Sequence, residues 1–460
     1  MTLRHPRWAL LTRTVGPWLS RREAWGRATG FRMVRRAGSV REKRHGGRVR
    51  DGTQHSHSPV ERLSCGMPSP TSHRQRALAV VAAATAVNLP FGTIYAFSVF
   101  LKPMEEMLGI GRAQMSFVFG LATICLVVGM NLSPLLYRRL PAVPVLLLAG
   151  AGSAIGLWLA ASAGGIGQLA LGYGLLFGLG GGVGFILVQQ GVNQTLASSG
   201  GLVNGYVVAL YPLGAMIGAP LFGYTIAAFG LRATLAGLGA TVLAACVFAA
   251  WLLARADIRM RTSDLPAAGS IDRQWPVFAR LFVVFFLAAA AGLTVMSQAA
   301  GIVQAYGGRT ALALGATTFI TAAIAAARVG GGWLVDRFPM PRVAAAAHLW
   351  SLAGAMLLSF WPGPLAAVPA LAMIGMGYGF MSGAVAGAIA QYWHRNEFGR
   401  IAGQLYIAWC IAAVSLPILA GWLFDRTGGY GAAVLVAAGG NVLGALLAGG
   451  LPAGGRSLRS

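Results

Sequence analysis

Acid is scarce in this chain of 460 residues, which carries 12 Asp and Glu against 36 Lys and Arg. After residue 76 the carboxylates are Glu105, Glu106, Asp257, Asp264, Asp272, Asp336, Glu397 and Asp425, each in a polar connection or at the edge of an apolar run. That placement excludes a proton relay of acids buried in a membrane. Cysteine is rarer still. Cys65, Cys125, Cys246 and Cys410 lack CxxC spacing and three lie in apolar runs, so a disulfide framework and a metal site are excluded and packing is their expected role. No cofactor is expected. Despite the net charge of +24, there is no aromatic-interleaved basic motif or zinc spacing, which sets a nucleic-acid partner aside. The run Gly178–Gly184 has neither the Lys-Ser/Thr nor the preceding strand of a phosphate loop, and reads as a close-packing helix face.

What is abundant is apolar: 56% of residues are hydrophobic, 65 are glycine, only 10% are charged, and mean hydropathy is +0.65. The chain belongs in a lipid bilayer. Runs of about 20 apolar residues fall near 77–101, 114–136, 143–163, 168–190, 203–226 and 231–253, then near 277–301, 311–335, 343–361, 365–388, 401–424 and 430–450. The predicted fold is therefore all-α, with about twelve transmembrane helices in two six-helix halves, 77–253 and 277–450, joined by a polar linker at 254–276 and followed by a tail at 451–460. Residues 1–76 form a basic leader without a secretory h-region, with 17 Lys and Arg against four carboxylates. A transit peptide, a disordered cytoplasmic tail and read-through from a wrong start stay open, the last two favoured and Met67 the expected true start. The scarcity of lysine, 2 against 34 arginines, fits a GC-rich bacterial coding sequence.

Orientation follows from basic loops, which stay cytoplasmic. Arg138, Arg139, Arg255, Arg259, Arg261, Arg273, Arg337, Arg342, Arg395 and Arg400 fall on one side, so both termini are expected inside a bacterial inner membrane. The halves also repeat. Gly201, Gly205, Gly223 and Gly230 match Gly399, Gly403, Gly421 and Gly428 at an offset of 198, and Gly178, Gly180 and Gly182 match Gly375, Gly377 and Gly379 at 197. A near-constant offset across two helices points to parallel six-helix repeats with substrate between them at the midplane.

Arg328 is the one charge expected at membrane depth, in a run that continues apolar to Asp336. An ionised side chain there costs about 2.5–3.5 kcal/mol, so the default reading is a functional group facing a polar cavity. A structural reading, pairing within the protein, meets no carboxylate at its depth. Anion binding is therefore favoured. His348, near the start of the ninth run, reads as a snorkelled or hydrogen-bonded surface group near a helix end rather than a proton carrier. Asn88, Gln189 and Gln190 read first as interhelical hydrogen-bonding residues.

Gly332–Asp336–Arg337 followed by Arg342 resembles the Gly-x-x-x-Asp-Arg loop signature of major facilitator superfamily transporters, while the first-half copy has Tyr137 before Arg138 and Arg139 where that aspartate is expected. Gly205, Gly214, Gly218 and Pro220 are similar to the superfamily's antiporter pattern. The segment Tyr95–Pro103 and the position of Arg328 resemble the oxalate/formate antiporter and monocarboxylate transporter branch. That resemblance implies Arg328 as the carboxylate-binding residue, Tyr95 and Tyr378 on cavity-lining helices, and Asp336, Arg337 and Arg342 as a gate at the inner face where a loop ion pair breaks and reforms. Tyr211 and Trp409, one from each half, are further candidates for substrate contact, and Gln298, polar at membrane depth, reads first as an interhelical hydrogen-bonding residue and second as a substrate contact. Tyr211 and Trp409 are also repeat mates at the 198 offset. The oxalate carriers' eleventh-helix lysine is absent, since the stretch here reads Tyr406-Ile-Ala-Trp409. One guanidinium forks onto one carboxylate, whereas a small dianion needs two cations. The expected cargo is a small organic monoanion, moved by a monomer as antiport or with a proton. A multidrug or sugar carrier of the same fold, or a non-transporting membrane sensor, are the alternatives.

Overall fold

The computed structural model describes residues 73–196, 200–260 and 274–453. Residues 1–72 of the basic leader, the middle of the linker with Asp264 and Asp272, and the end of the tail lie outside the described residues, while residues 73–76 of the leader open the first helix. Eleven helical runs among those described are long and apolar enough to cross a membrane: α1 His73–Ala96, α2 Arg112–Arg139, α3 Ala142–Ala161, α4 Ile166–Thr195, then Gly200–Arg255, then α7 Trp275–Ala305, α8 Thr310–Val335, α9 Met340–Phe360, α10 Pro364–Tyr392, α11 Arg395–Thr427 and α12 Gly431–Ala448. Gly200–Arg255 is 56 residues long and would reach roughly 84 Å at 1.5 Å per residue, far beyond a hydrocarbon core. It breaks at Gly230, whose φ of 83° only glycine adopts freely, and so contributes two spans, α5 before the break and α6 after it. Among the described residues the architecture is all-helical, with twelve spans. α1 tightens into a 3-10 turn at Thr93–Ala96 and continues beyond Phe97 as Ser98–Leu108.

Glycine repeats that are only a numerical coincidence in sequence have matching structural duties. Gly230 and Gly428 both turn the chain with positive φ, 83° and 69°. Gly180 on α4 packs against the Ala149 carbonyl and Ser153 on α3, and its mate Gly377 on α10 packs against the Ala347 carbonyl and Ser351 on α9. The partners are themselves mates at the 198 offset. Gly205 on α5 meets the Arg328 carbonyl on α8, and Gly403 on α11 meets the Met130 carbonyl on α2. Met130 is thus the first-half counterpart of Arg328. These close backbone approaches add to the burial of side chains such as Phe100, Tyr173 and Phe285, as expected where lipid competes for apolar contacts. The outer wall agrees, with Leu148, Ile217, Leu314 and Leu446 exposed.

Candidate functional site

Two glycines grip α8 at the level of Arg328. Gly205 of the first half and Gly383 of α10 both sit where a side chain would collide with the Arg328 carbonyl oxygen. The helices therefore touch by backbone, and the arginine side chain is driven into the space between the halves. It is 2% exposed. Its Nη1 donates to the Val208 carbonyl on α5 at 2.8 Å, and its Nη2 donates to the Tyr378 hydroxyl on α10 at 2.9 Å. Its guanidinium carbon lies 5.2 Å from the centre of the Tyr378 ring. Nε, also buried, donates to nothing. Every partner is neutral, so a full positive charge lies out of water with its Nε unpaired, an arrangement that calls for an anion.

Trp409 on α11 donates from Nε1 to the same Tyr378 oxygen at 2.8 Å, so that oxygen receives two hydrogen bonds and its own proton remains to be given. Tyr95 of α1 lies 6.0 Å from Tyr211 and 6.2 Å from Trp409, ring centre to ring centre. Tyr211 donates to the Gly181 carbonyl at 3.3 Å. Together these groups enclose a cavity of about 20 Å³. That is room for about one water, so the site is closed around Arg328 and cargo needs the walls to part. A larger space of about 480 Å³ between α1, α5 and α6 is lined by Leu89, Ile217, Leu221 and Phe229 and holds no charge. It suits acyl chains better than a charged cargo.

Five of the six residues expected to contact substrate, Arg328, Tyr95, Tyr211, Tyr378 and Trp409, line this one cavity. Gln298 does not. Its side chain accepts from the Tyr430 hydroxyl at 3.2 Å, tying α7 to the start of α12. Polar character at membrane depth drew attention to it, but its place in α7 turns it toward its own half. Sequence reasoning also left out Tyr406, Phe185, Ser382, Val208, Met130 and Leu126, which complete the lining. Signals for three of them were present: Tyr406 and Ser382 stand one helical turn from Trp409 and Tyr378, and Met130 is 198 residues before Arg328.

At the end of the bundle near the linker, Asp336 accepts from the backbone amides of Gly201 at 3.0 Å and Leu202 at 2.9 Å. The carboxylate thereby caps the first turn of α5, where helix amides lack internal partners. Expected in a loop ion pair at the gate, Asp336 also caps a helix across the halves. Arg337 stacks over Trp333 at 3.8 Å, and Arg342 is exposed on the first turn of α9. The corresponding contact on the other half has changed hands. Gly399, mate of Gly201, donates to Gln190 Oε1 at 2.7 Å, and Gln190 also donates to the Arg395 carbonyl at 3.1 Å. Tyr137 presses its hydroxyl against Gly399. A neutral amide from α4 therefore does the capping that the missing first-half aspartate would do.

His348 is 1% exposed rather than set at a helix surface, with its ring nitrogens facing Asn441 Oδ1 at 2.9 Å and the Val284 carbonyl at 3.2 Å. It ties α7, α9 and α12 together and is far from a lone surface histidine. Cys125 and Cys246 are buried among apolar neighbours, and no group of three metal-ligating side chains occurs among the described residues.

The family model described as Major Facilitator Superfamily matches residues 77–417. A curated relative, the uncharacterized MFS-type transporter YhjX of Escherichia coli (strain K12), is 24% identical over 357 residues, covering 75% of this chain and 88% of the relative. Among solved structures, the proton:xylose symporter XylE bound to 6-bromo-6-deoxy-D-glucose aligns with a TM-score of 0.62 at 15% identity, over 82% of this chain and 95% of its own. FucP in the outward conformation aligns at 0.62 and 16% identity, over 82% and 99%. The human organic anion transporter MFSD10 (TETRAN) aligns at 0.61 and 15%, over 82% and 100%. At such identities these likenesses speak to fold.

Proposed function

The chain belongs to the Major Facilitator Superfamily and is a transporter of that family, and on this premise we propose that its cargo is a small organic monoanion of the monocarboxylate type. Alternating access carries it across a bacterial inner membrane, as antiport or with a co-transported proton, and both termini face the cytoplasm. The fold does not choose the substrate, since its structural neighbours include a proton:xylose symporter and an organic anion transporter. The choice rests on Arg328, a buried cation with only neutral partners and an unspent Nε in the wall of a closed aromatic cavity. A carboxylate meets that need with two parallel hydrogen bonds, and tyrosine and tryptophan faces accept a short organic body. No carboxylate lines the cavity, which weighs against the sugar-symporter alternative.

Labelled lactate, formate and oxalate offered to proteoliposomes test the reading. Lactate or formate should enter faster than oxalate; oxalate entering faster would overturn the one-cation argument. Trp409→Lys supplies a second cation at the cavity wall and is expected to raise the oxalate-to-formate uptake ratio about tenfold. An unchanged ratio would mean that cation count does not set selectivity.

Asp336 belongs to the gate in this scheme, with Arg337 and Arg342 beside it. Removing a helix cap costs about 1 kcal/mol, or roughly fivefold in a two-state equilibrium. Asp336→Ala should accordingly open the linker-side face, read as about fivefold faster alkylation of a cysteine placed at Ala390, which packs on Gly200.

A further inference from the structure

The partner that Arg328 takes on α5 is a main-chain carbonyl, and helix carbonyls are ordinarily spent on the amide four residues on. Val208 is different. Four residues after it stands Pro212, inside the helix, with no amide hydrogen to give. A helical proline also pushes the carbonyl of residue i−4 outward, away from the axis. The oxygen so released lies in the wall of the cavity and receives Arg328 Nη1 at 2.8 Å. Gly205, one turn before Val208, lets α5 approach α8 closely enough for this bond to form. Since Val208 is in the first half and Arg328 in the second, the bond joins the two halves at the level of the cavity.

We propose that the Val208 carbonyl, freed by Pro212, is a resident substitute for the substrate carboxylate, latching Arg328 to the first half while the site is empty and yielding to the substrate when it arrives. The inference rests on the anion-carrier reading of Arg328. A carbonyl oxygen carries a partial charge and takes one donor from the fork; a carboxylate carries a full charge and takes two. Substrate is therefore the stronger ligand, and exchange of one oxygen for another breaks the bond between halves without leaving the guanidinium bare. The empty carrier is held closed, and the filled one is released. Pro212 is a positioning residue in this scheme: it acts on the cation only through the carbonyl it frees.

Pro212→Ala restores the amide hydrogen and draws the carbonyl back along the helix. Because substrate no longer competes with a resident ligand, KM for lactate or formate should fall by about tenfold or more, the factor a single hydrogen bond to a charged group provides. A proline that merely bends the helix would raise KM or leave it unchanged. Pro212→Gly supplies the same amide hydrogen and serves if the alanine variant folds poorly. A second measurement does not depend on Pro212. Leu140 and Phe338 are exposed mates on the linker side, one in each half. Spin labels on Leu140→Cys and Phe338→Cys should report a short distance in the empty carrier and a longer population with lactate or formate. Adding Arg328→Ala should give the longer population without any substrate. The latch is overturned if KM does not fall in the Pro212 variants, or if the Arg328 variant stays closed when empty. Failure of the wild type to take up either acid, with the latch variants still opening the empty carrier, would sink the cargo and leave the latch standing.

Discussion

Arg328→Ala reduces uptake of the transported monoanion to background while the protein remains in the membrane at close to its normal amount. Loss of one member of a buried, hydrogen-bonded charge pair costs about 2–5 kcal/mol, a factor of roughly thirty to several thousand in binding, and no other cation lines the cavity to compensate. Stability moves much less. The arginine's bonds to Val208 and Tyr378 are lost, and the truncated side chain leaves a void. Against this, the protein no longer keeps a charge out of water, and breaking even with an apolar replacement is common for buried ionic groups. Arg328→Lys separates charge from geometry. A lysine keeps the cation but offers a point charge in place of a planar fork, so a few per cent of uptake is expected to survive. Uptake is read in proteoliposomes at matched protein content. Full activity in the alanine variant would remove the anion site altogether, and equal activity in the lysine variant would mean that the fork is unimportant.

Much of this site is legible in the sequence because its central feature is an expense. A charge inside an apolar run stands out against a bilayer, and a scan for carboxylates already indicates that its partners are not acids. The spans are legible for the same reason, as is the repeat, since glycine cannot drift where backbones touch. The rest needs three dimensions. Polar character alone brought in Gln298, but a residue on a helix faces one direction only, and periodicity within α7 does not say which side meets Tyr430. The gate illustrates a different limit. A missing aspartate at Tyr137 looks like a lost contact, whereas the amide of Gly399 is satisfied by Gln190 from another helix. The donor at the start of α11 must be met, and sequence does not reveal which acceptor meets it. Pro212 is the subtlest case, because its consequence is expressed at Val208, through a carbonyl that every residue possesses.

Gly205→Ala is expected to abolish transport while its repeat mate Gly403→Ala leaves most of it. At Gly205 a single added carbon has nowhere to go: the Arg328 carbonyl oxygen already fills its position and the Gly332 Cα lies 3.2 Å from it. Both obstacles are backbone, so relief requires α5 and α8 to separate. At Gly403 the nearest atom is the Met130 carbonyl oxygen at 3.0 Å, followed by the Asn131 side-chain oxygen at 3.2 Å, and shifts of a few tenths of an ångström suffice. Overpacking costs about 1–3 kcal/mol where neighbours must move. Because α5 and α8 belong to different halves, that strain falls on the closed arrangement and not on the folding of either half. The Gly205 variant should therefore be present in the membrane yet unable to close its linker side, with a lengthened distance between labels at 140 and 338. Gly383→Ala provides the contrast, since it strikes the same carbonyl from within the second half, on α10. There the strain cannot be relieved by parting the halves, and the amount of folded protein should fall instead. If Gly205→Ala and Gly383→Ala lower folded protein equally, the α5–α8 contact is part of the folding core and not a surface that opens during transport.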